Sequence, residues 1–330
     1  MSTVIVLVVA TMVSLGASVV LVTRLTRLGE RLGFSEAMLG LVTALAADSP
    51  EISAAISALV RGQHDVAIGV VIGSNAFNLA ALVGLSAVVA GRVVLHRRVI
   101  MLEGLVGLSI AVIAVCLVAG WLRPGGAASL AGLAFLPYVA VCAVHPAGRR
   151  RLLKRLPWRD WLAGAMVEEE LELSTAISPP RGGLIDLCLA VVAVALVVGA
   201  SATMQGAAVT IAERLSIPGI VTGGIVLAAL TSLPNAVAAV YLAHNGRGAA
   251  MLSEAMNSNT LNILVGLLVP AIVVGLDAPS VGTQLMTVWY LSLTVLTLGL
   301  AYGSRGLTRL TGSLIIGVYV AAVLTVVLTA

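Results

Sequence analysis

Asp48 and Glu51 flank Pro50 in the stretch 46–56, AADSPEISAAI, which is otherwise apolar. A charged side chain at mid-bilayer costs about 2.5–3.5 kcal/mol on insertion scales, so two of them side by side call for a cause. Pro50 has no N–H, and the carbonyl of Ala46, four residues earlier, therefore loses its helical partner. In hydrocarbon such a freed carbonyl persists where protein, water or an ion fills the gap. Residues three apart share a helix face, which puts both carboxylates on the same side. The next apolar run adds Ser74 and Asn78 at i,i+4, with Asn75 beside them. Carboxylates, hydroxyls, amides and freed carbonyls make an all-oxygen pocket, the ligand set that hard cations such as Ca²⁺, Na⁺ and Mg²⁺ take.

The elements that must hold this pocket follow from composition. The chain has 330 residues, 59% hydrophobic and 10% charged, with a mean hydropathy of +1.09. Soluble domains carry about 25% charged residues, and a spanning helix needs about 20 mainly apolar ones. Apolar runs at 3–23, 37–60, 65–90, 98–120, 128–145, 185–211, 218–243, 248–275, 282–302 and 308–329 predict ten transmembrane helices. The runs are continuous rather than alternating, which excludes an outer-membrane barrel. The fold class is all-α and integral to the membrane.

Of nineteen Lys and Arg residues, all but Arg61, Arg123 and Arg214 fall on one side of this plan. The positive-inside rule makes that side cytoplasmic, with both termini outside, as in a multi-pass protein of the cell membrane. The first run has no basic segment before it, so it does not read as a cleaved signal peptide. Cys116, Cys142 and Cys188 lack C-x-x-C spacing and read as small packing residues. The four histidines have no i,i+4 partner, against a zinc site. The only lysine is Lys154 and there is no G-x-x-x-x-G-K-[ST], so no nucleotide is expected; no basic, aromatic-interleaved soluble region suggests nucleic acid. Neither G-x-S-G with a helical histidine nor a G-x-G-D aspartate pair is present, which argues against an intramembrane hydrolase.

The sequence repeats itself at an offset of 184. Gly40 meets Gly224, Ala44 meets Ala228, Pro50 meets Pro234, Gly62 meets Gly246, and Ser74, Asn75 and Asn78 meet Ser258, Asn259 and Asn262. Five helices per half is an odd number, so the second copy enters the membrane upside down. Inverted repeats with broken helices at the midplane are the architecture of secondary transporters. The expected organisation is a first repeat at 1–145, a cytoplasmic linker at 146–184 and an inverted repeat at 185–330. Pro234 is expected to free the Leu230 carbonyl as Pro50 frees that of Ala46. The spacings Gly69-x-x-x-Gly73 and Gly219-x-x-x-Gly223 are explained by close backbone approach.

The paired segments resemble the two α-repeats of the sodium/calcium exchanger family, within the wider cation/calcium antiporter group. That family carries G-T-S-L-P-E on one helix and G-S-N-x-x-[ND] on the next. The second motif stands here as Gly73-Ser74-Asn75-Ala76-Phe77-Asn78 and Asn257-Ser258-Asn259-Thr260-Leu261-Asn262. The first stands as Ala46-Ala47-Asp48-Ser49-Pro50-Glu51 and Leu230-Thr231-Ser232-Leu233-Pro234-Asn235. The resemblance implies an ion site from Glu51, Ser74, Asn78, Thr231, Ser232, Asn235, Ser258 and Asn262, to which the residues themselves add Asp48. It also implies two long gating helices at about 3–30 and 185–213 that slide against the other eight. Here Asn235 replaces the second glutamate, Ala47 replaces a threonine, and Asp48 replaces a serine, so both obvious acids lie on the first half.

The expected function is antiport of Ca²⁺ against Na⁺ by alternating access, with the transported ions and the lipid bilayer as partners and no bound cofactor. Close carboxylates resist ionising together, which leaves H⁺ as an alternative coupling ion. A non-transporting sensor or scaffold that keeps the fold is the alternative of a different class. Glu254 precedes Ser258 and Asn262 at steps of four and is a candidate third acid, read as a solvated residue at the cytoplasmic mouth. The basic and acidic stretch at 146–184 reads as a linker; it shows no EF-hand spacing around Glu168–Glu172.

Overall fold

The computed structural model describes residues 2–144 and 182–329, together with Trp161 and Gly164. The expected linker lies almost wholly outside these residues, and its acidic run Glu168–Glu172 lies entirely outside them. The first half consists of α1 (Ser2–Leu32), α2 (Glu36–Ala47), α3 (Ser49–Val60), α4 (His64–Asn78), α5 (Ser86–Ala90), β1 (Arg92–Val94), α6 (Arg97–Val118) and α7 (Pro124–Ala143). The second consists of α8 (Leu184–Arg214), α9 (Ala228–His244), α10 (Gly248–Leu261), α11 (Val269–Val274), α12 (Val281–Ser304), β2 (Gly306–Thr308) and α13 (Arg309–Thr329). Among the described residues nine helical spans are long and apolar enough to cross a membrane, and α2 with α3, bent by 50°, makes a tenth. With five spans in each half, the two copies run in opposite senses through the bilayer.

Three stretches widen into π turns. Leu79–Leu85 joins α4 to α5, Asn262–Leu268 joins α10 to α11, and Thr222–Leu227 leads into α9. The first two begin right after Asn78 and at Asn262, which are repeat equivalents. π turns concentrate at functional sites because they re-aim one side chain per insertion. Gly62 and Gly246, another repeat pair, end their helices with φ of 73° and 75°, a left-handed conformation that glycine adopts without cost.

At the centre α4 crosses the Thr222–Leu227 turns almost backbone on backbone. A Cβ on Gly69 would lie 2.9 Å from Gly224 N, one on Gly73 would run into the Gly224 backbone, and one on Gly223 would meet the carbonyl of Val66. The glycine spacing therefore serves packing, as its sequence pattern suggests.

The two 31-residue helices α1 and α8 pack against each other in antiparallel fashion at the edge of the bundle. Ser14 and Ser201 share a hydrogen bond of 2.6 Å between them. Arg24 donates to Asp186 at 2.9 Å, with Arg27 3.5 Å from the same carboxylate. α1 outruns its apolar stretch at 3–23 because its three arginines emerge at the surface, where two of them find Asp186.

Two expectations about the prolines need correction. The first break is real, yet its carbonyl is not left open. Ala46 O accepts the hydroxyls of Ser49 at 2.6 Å and Ser18 at 3.0 Å, and Ala47 O accepts Ser18 at 3.2 Å. Asp48 itself is the joint, ending α2 and beginning α3, so it and Glu51 do not share one regular helix face. In the second half α9 runs through Pro234 as one helix. The repeat equivalents of Ser18 and Ser49 are Ala202 and Leu233. Neither has a hydroxyl, so the two groups that receive the freed carbonyl in the first half have no counterpart here, and the helix continues although Pro234 offers the Leu230 carbonyl no N–H.

Candidate cation site

The bend at Asp48 turns its carboxylate, and that of Glu51 in the first turn of α3, toward the second half of the chain. An acid in the first turn of a helix meets the positive end of its dipole. Both residues are fully buried. Asp48 Oδ1 accepts Asn235 Nδ2 at 2.8 Å and Ser258 Oγ at 2.9 Å. Glu51 Oε1 accepts Ser232 Oγ at 2.8 Å. Every one of these donors lies more than 180 residues away in sequence, so each acid of the first half is held by the second.

Around them stands a lattice of amides on α4 and α10. Asn78 Nδ2 donates to Ser258 Oγ and to Asn259 Oδ1, both at 3.0 Å. Asn75 and Asn259, repeat equivalents, each donate to the other's backbone carbonyl, at 2.9 and 3.2 Å. Asn262 Nδ2 donates to Asn75 Oδ1 at 3.3 Å. Asn75 and Asn259 are thus a two-fold clasp that fixes the two second motifs against one another. Their identity at one offset was visible in the sequence, but not that they would bind each other.

Every amide nitrogen of this lattice has an acceptor; several oxygens have no donor. Asp48 Oδ2, Glu51 Oε2, Ser74 Oγ, Asn78 Oδ1 and Asn262 Oδ1 are all buried without a hydrogen-bond partner among the described residues. Buried polar atoms are otherwise paired in more than about 90% of cases. Five orphaned oxygens, two of them carboxylate, belong to residues in the hydrogen-bonded lattice or, for Ser74, one turn from it. That is the donor set a hard cation completes.

Of the nine residues expected at the site, seven join the lattice directly. Ser74 stands one turn before Asn78 on α4, its hydroxyl unpaired. Thr231 donates its hydroxyl to Leu227 O, one turn back along the same span, at 2.9 Å. Glu254 is half-buried and lines a cavity of about 530 Å³ between α1, α2, α9 and α10. Ser18, Ala47 and Asn235 line the same cavity, which runs along α1 to Thr26 and reaches Arg247 at the start of α10. It therefore leads from the arginine-rich face to the joint.

On the opposite face the two halves are tied together by groups that the sequence did not single out. Gln205 on α8, fully buried, accepts Arg61 Nη1 at 3.0 Å and Ser57 Oγ at 3.4 Å and donates to the Gln63 side chain. Another missed acid is Glu103 on α6, buried among Tyr138, whose hydroxyl donates to it at 2.9 Å, and Ser253, at 3.4 Å. A lone acid inside an apolar run was the signal available.

With that geometry in view, comparison places the chain among known proteins. A family model described as "Sodium/calcium exchanger protein" matches residues 2–145 and 185–328. No curated protein sequence matches the chain. Among solved structures, the H⁺/Ca²⁺ exchanger CAX is 14% identical, with 99% of this chain and 86% of that one covered and a TM-score of 0.71. Native YfkE is 15% identical, with 99% of both chains covered and a TM-score of 0.65. The sodium-calcium exchanger NCX_Mj, soaked with 2.5 mM Na⁺ and 0.1 mM Ca²⁺, is 18% identical, with 98% of both chains covered and a TM-score of 0.61. At such identities the likeness is one of fold.

Proposed function

The chain belongs to the sodium/calcium exchanger family, and on that premise we propose that it exchanges Ca²⁺ for Na⁺ across the cell membrane through the pocket between its two halves. The observation that carries this reading is the set of orphaned oxygens on Asp48, Glu51, Ser74, Asn78 and Asn262. With both acids ionised the pocket holds two negative charges, enough to neutralise one Ca²⁺ or two Na⁺. Asp48 in this way supplies the charge that Asn235 lacks.

Coupling follows from exclusive occupancy. An empty pocket keeps two uncompensated charges and resists the passage of α1 and α8 over it, whereas either cargo relieves the charge. Ser18 bonds α1 to the carbonyls of the joint, so the sliding helix feels the state of the site directly. By the positive-inside rule the arginine-rich face is cytoplasmic and both termini are outside. The conformation is then open to the cytoplasm and latched outside by Arg61, Gln63 and Gln205.

Purified protein in liposomes is expected to take up Ca²⁺ under an outward Na⁺ gradient. Uptake that follows an H⁺ gradient and ignores Na⁺ would establish the second reading, H⁺/Ca²⁺ exchange. That reading is favoured by one observation: no Arg, Lys or His pairs with Asp48 or Glu51 among the described residues. Ca²⁺ binding without flux under either gradient would leave a non-transporting protein and overturn exchange.

The latch has its own test. Gln205→Ala removes the amide that ties α8 to Arg61 and Gln63. Losing a hydrogen bond to a charged group is worth about 1.5 kcal/mol, roughly a tenfold shift toward the outward-open state. In a protein without Cys116, Cys142 and Cys188, the variant is expected to label about tenfold faster at Ser201→Cys. The reagent is a membrane-impermeant thiol probe added on the Arg61 side. Unchanged labelling would mean that other contacts hold this face.

A further inference from the structure

The cavity on the arginine-rich face carries one acid, Glu254, that the central pocket does not use. It forms no hydrogen bond or ion pair among the described residues, although Arg247 lines the same cavity. One turn along α10, about 6 Å of rise, Ser258 donates to Asp48. Between the two levels stands Asn257, also on the cavity wall. Its amide nitrogen donates to the Tyr138 hydroxyl at 3.1 Å and to Ser253 Oγ at 3.0 Å. Tyr138 in turn donates to Glu103. The buried Glu103–Tyr138 pair thus holds the nitrogen of Asn257 in the wall and leaves its carbonyl oxygen for the cavity. A carboxylate and an amide oxygen therefore line the way from the cytoplasm to Asp48, in a vestibule whose remaining walls are largely apolar.

Resting on the exchange proposed above, we infer that Glu254 and Asn257 form a vestibular docking site for the transported cation, used on the cytoplasmic side alone. A hydrated Ca²⁺ entering from water is held first by the Glu254 carboxylate and the Asn257 carbonyl. It then passes one helical turn to Asp48, exchanging its water for the orphaned oxygens below. Two carboxylates along one path repel each other's charge when both are empty and share one cation when it arrives, which favours transfer over trapping. Because Glu254 stands between Arg247 and Ser258 along α10, it lies on the arginine-rich side of Asp48, and ions arriving from the Arg61 side reach the pocket without meeting it.

The experiment measures the Ca²⁺ concentration that half-saturates exchange, separately from each face, in liposomes where orientation is scored with an impermeant thiol probe. Glu254→Gln is expected to raise the half-saturating Ca²⁺ about three- to tenfold from the arginine-rich face and less than twofold from the other. Glu254→Asp, which keeps the charge, should fall between wild type and Gln, and its behaviour controls for damage to the fold. A choline chloride screen should weaken wild-type affinity from the arginine-rich face while leaving Glu254→Gln unmoved. Equal shifts from both faces would make Glu254 part of the central pocket, and no shift would make it a solvated bystander; either overturns the docking site. Should wild type move no Ca²⁺ under any gradient, the exchange reading fails and terbium decides the site alone. Tyr241 lines the same cavity and sensitises a lanthanide held there. A luminescence component lost in both Tyr241→Phe and Glu254→Gln supports docking, and one indifferent to Glu254 overturns it.

Discussion

Glu51→Gln is expected to reduce Ca²⁺ uptake at least ~100-fold while the protein remains folded. The substitution is nearly isosteric, and the Gln carbonyl still accepts the Ser232 hydroxyl that Glu51 Oε1 accepts at 2.8 Å. What changes is charge. The pocket falls from two negative charges to one, which leaves Ca²⁺ half neutralised in a place where the residue is fully buried. An uncompensated charge of that kind costs about 3 kcal/mol or more, and each 1.4 kcal/mol is tenfold. An intact thermal transition in detergent would separate this loss from misfolding. Uptake at the wild-type rate in Glu51→Gln would place the transported ion elsewhere and remove the basis for the proposed pocket.

The second large effect concerns packing. In Gly73→Ala the added methyl would meet the backbone of Gly224, not the end of a side chain. No rotamer change relieves a clash with backbone, so α4 and the Thr222–Leu227 turns must part. Over-packing of a tight core costs about 1–3 kcal/mol, and here the upper end or more is expected. The separation also pulls on the Asn75–Asn259 clasp, so transport should fall together with melting temperature. Gly107→Ala is the contrast: its methyl would lie 3.2 Å from Met256 Sδ, a flexible thioether that can move, and it should cost much less. Equal stability of Gly73→Ala and wild type would mean the crossing is looser than described.

The candidate residues were legible because the bilayer makes polar groups conspicuous. Asp48, Glu51 and the serine and asparagine pairs at the 184 offset stand out of apolar runs that contain almost nothing else. The proline pair was legible too, but its consequence was not. Whether a proline opens a helix depends on what receives the freed carbonyl. In the first half that is Ser18, 28 residues away on α1, together with Ser49. The aligned positions Ala202 and Leu233 held the clue, which gains its meaning once α1 is known to pass over the joint.

The sequence alone determined the ten spans, the inverted repeat, the family and the set of polar residues available to a cation. These depend on composition, on short-range pattern and on self-similarity, all local or repetitive properties of the chain. The tertiary structure decided which acid meets which donor, that Asn75 and Asn259 clasp each other, which face carries the cavity, and that Glu254 looks into it. Those outcomes depend on how each helix is rotated and how closely it approaches its neighbours. Contacts between backbones at Gly69, Gly73, Gly223 and Gly224 set that rotation and approach, and steric fit between residues some 150 positions apart leaves no periodic mark in the sequence.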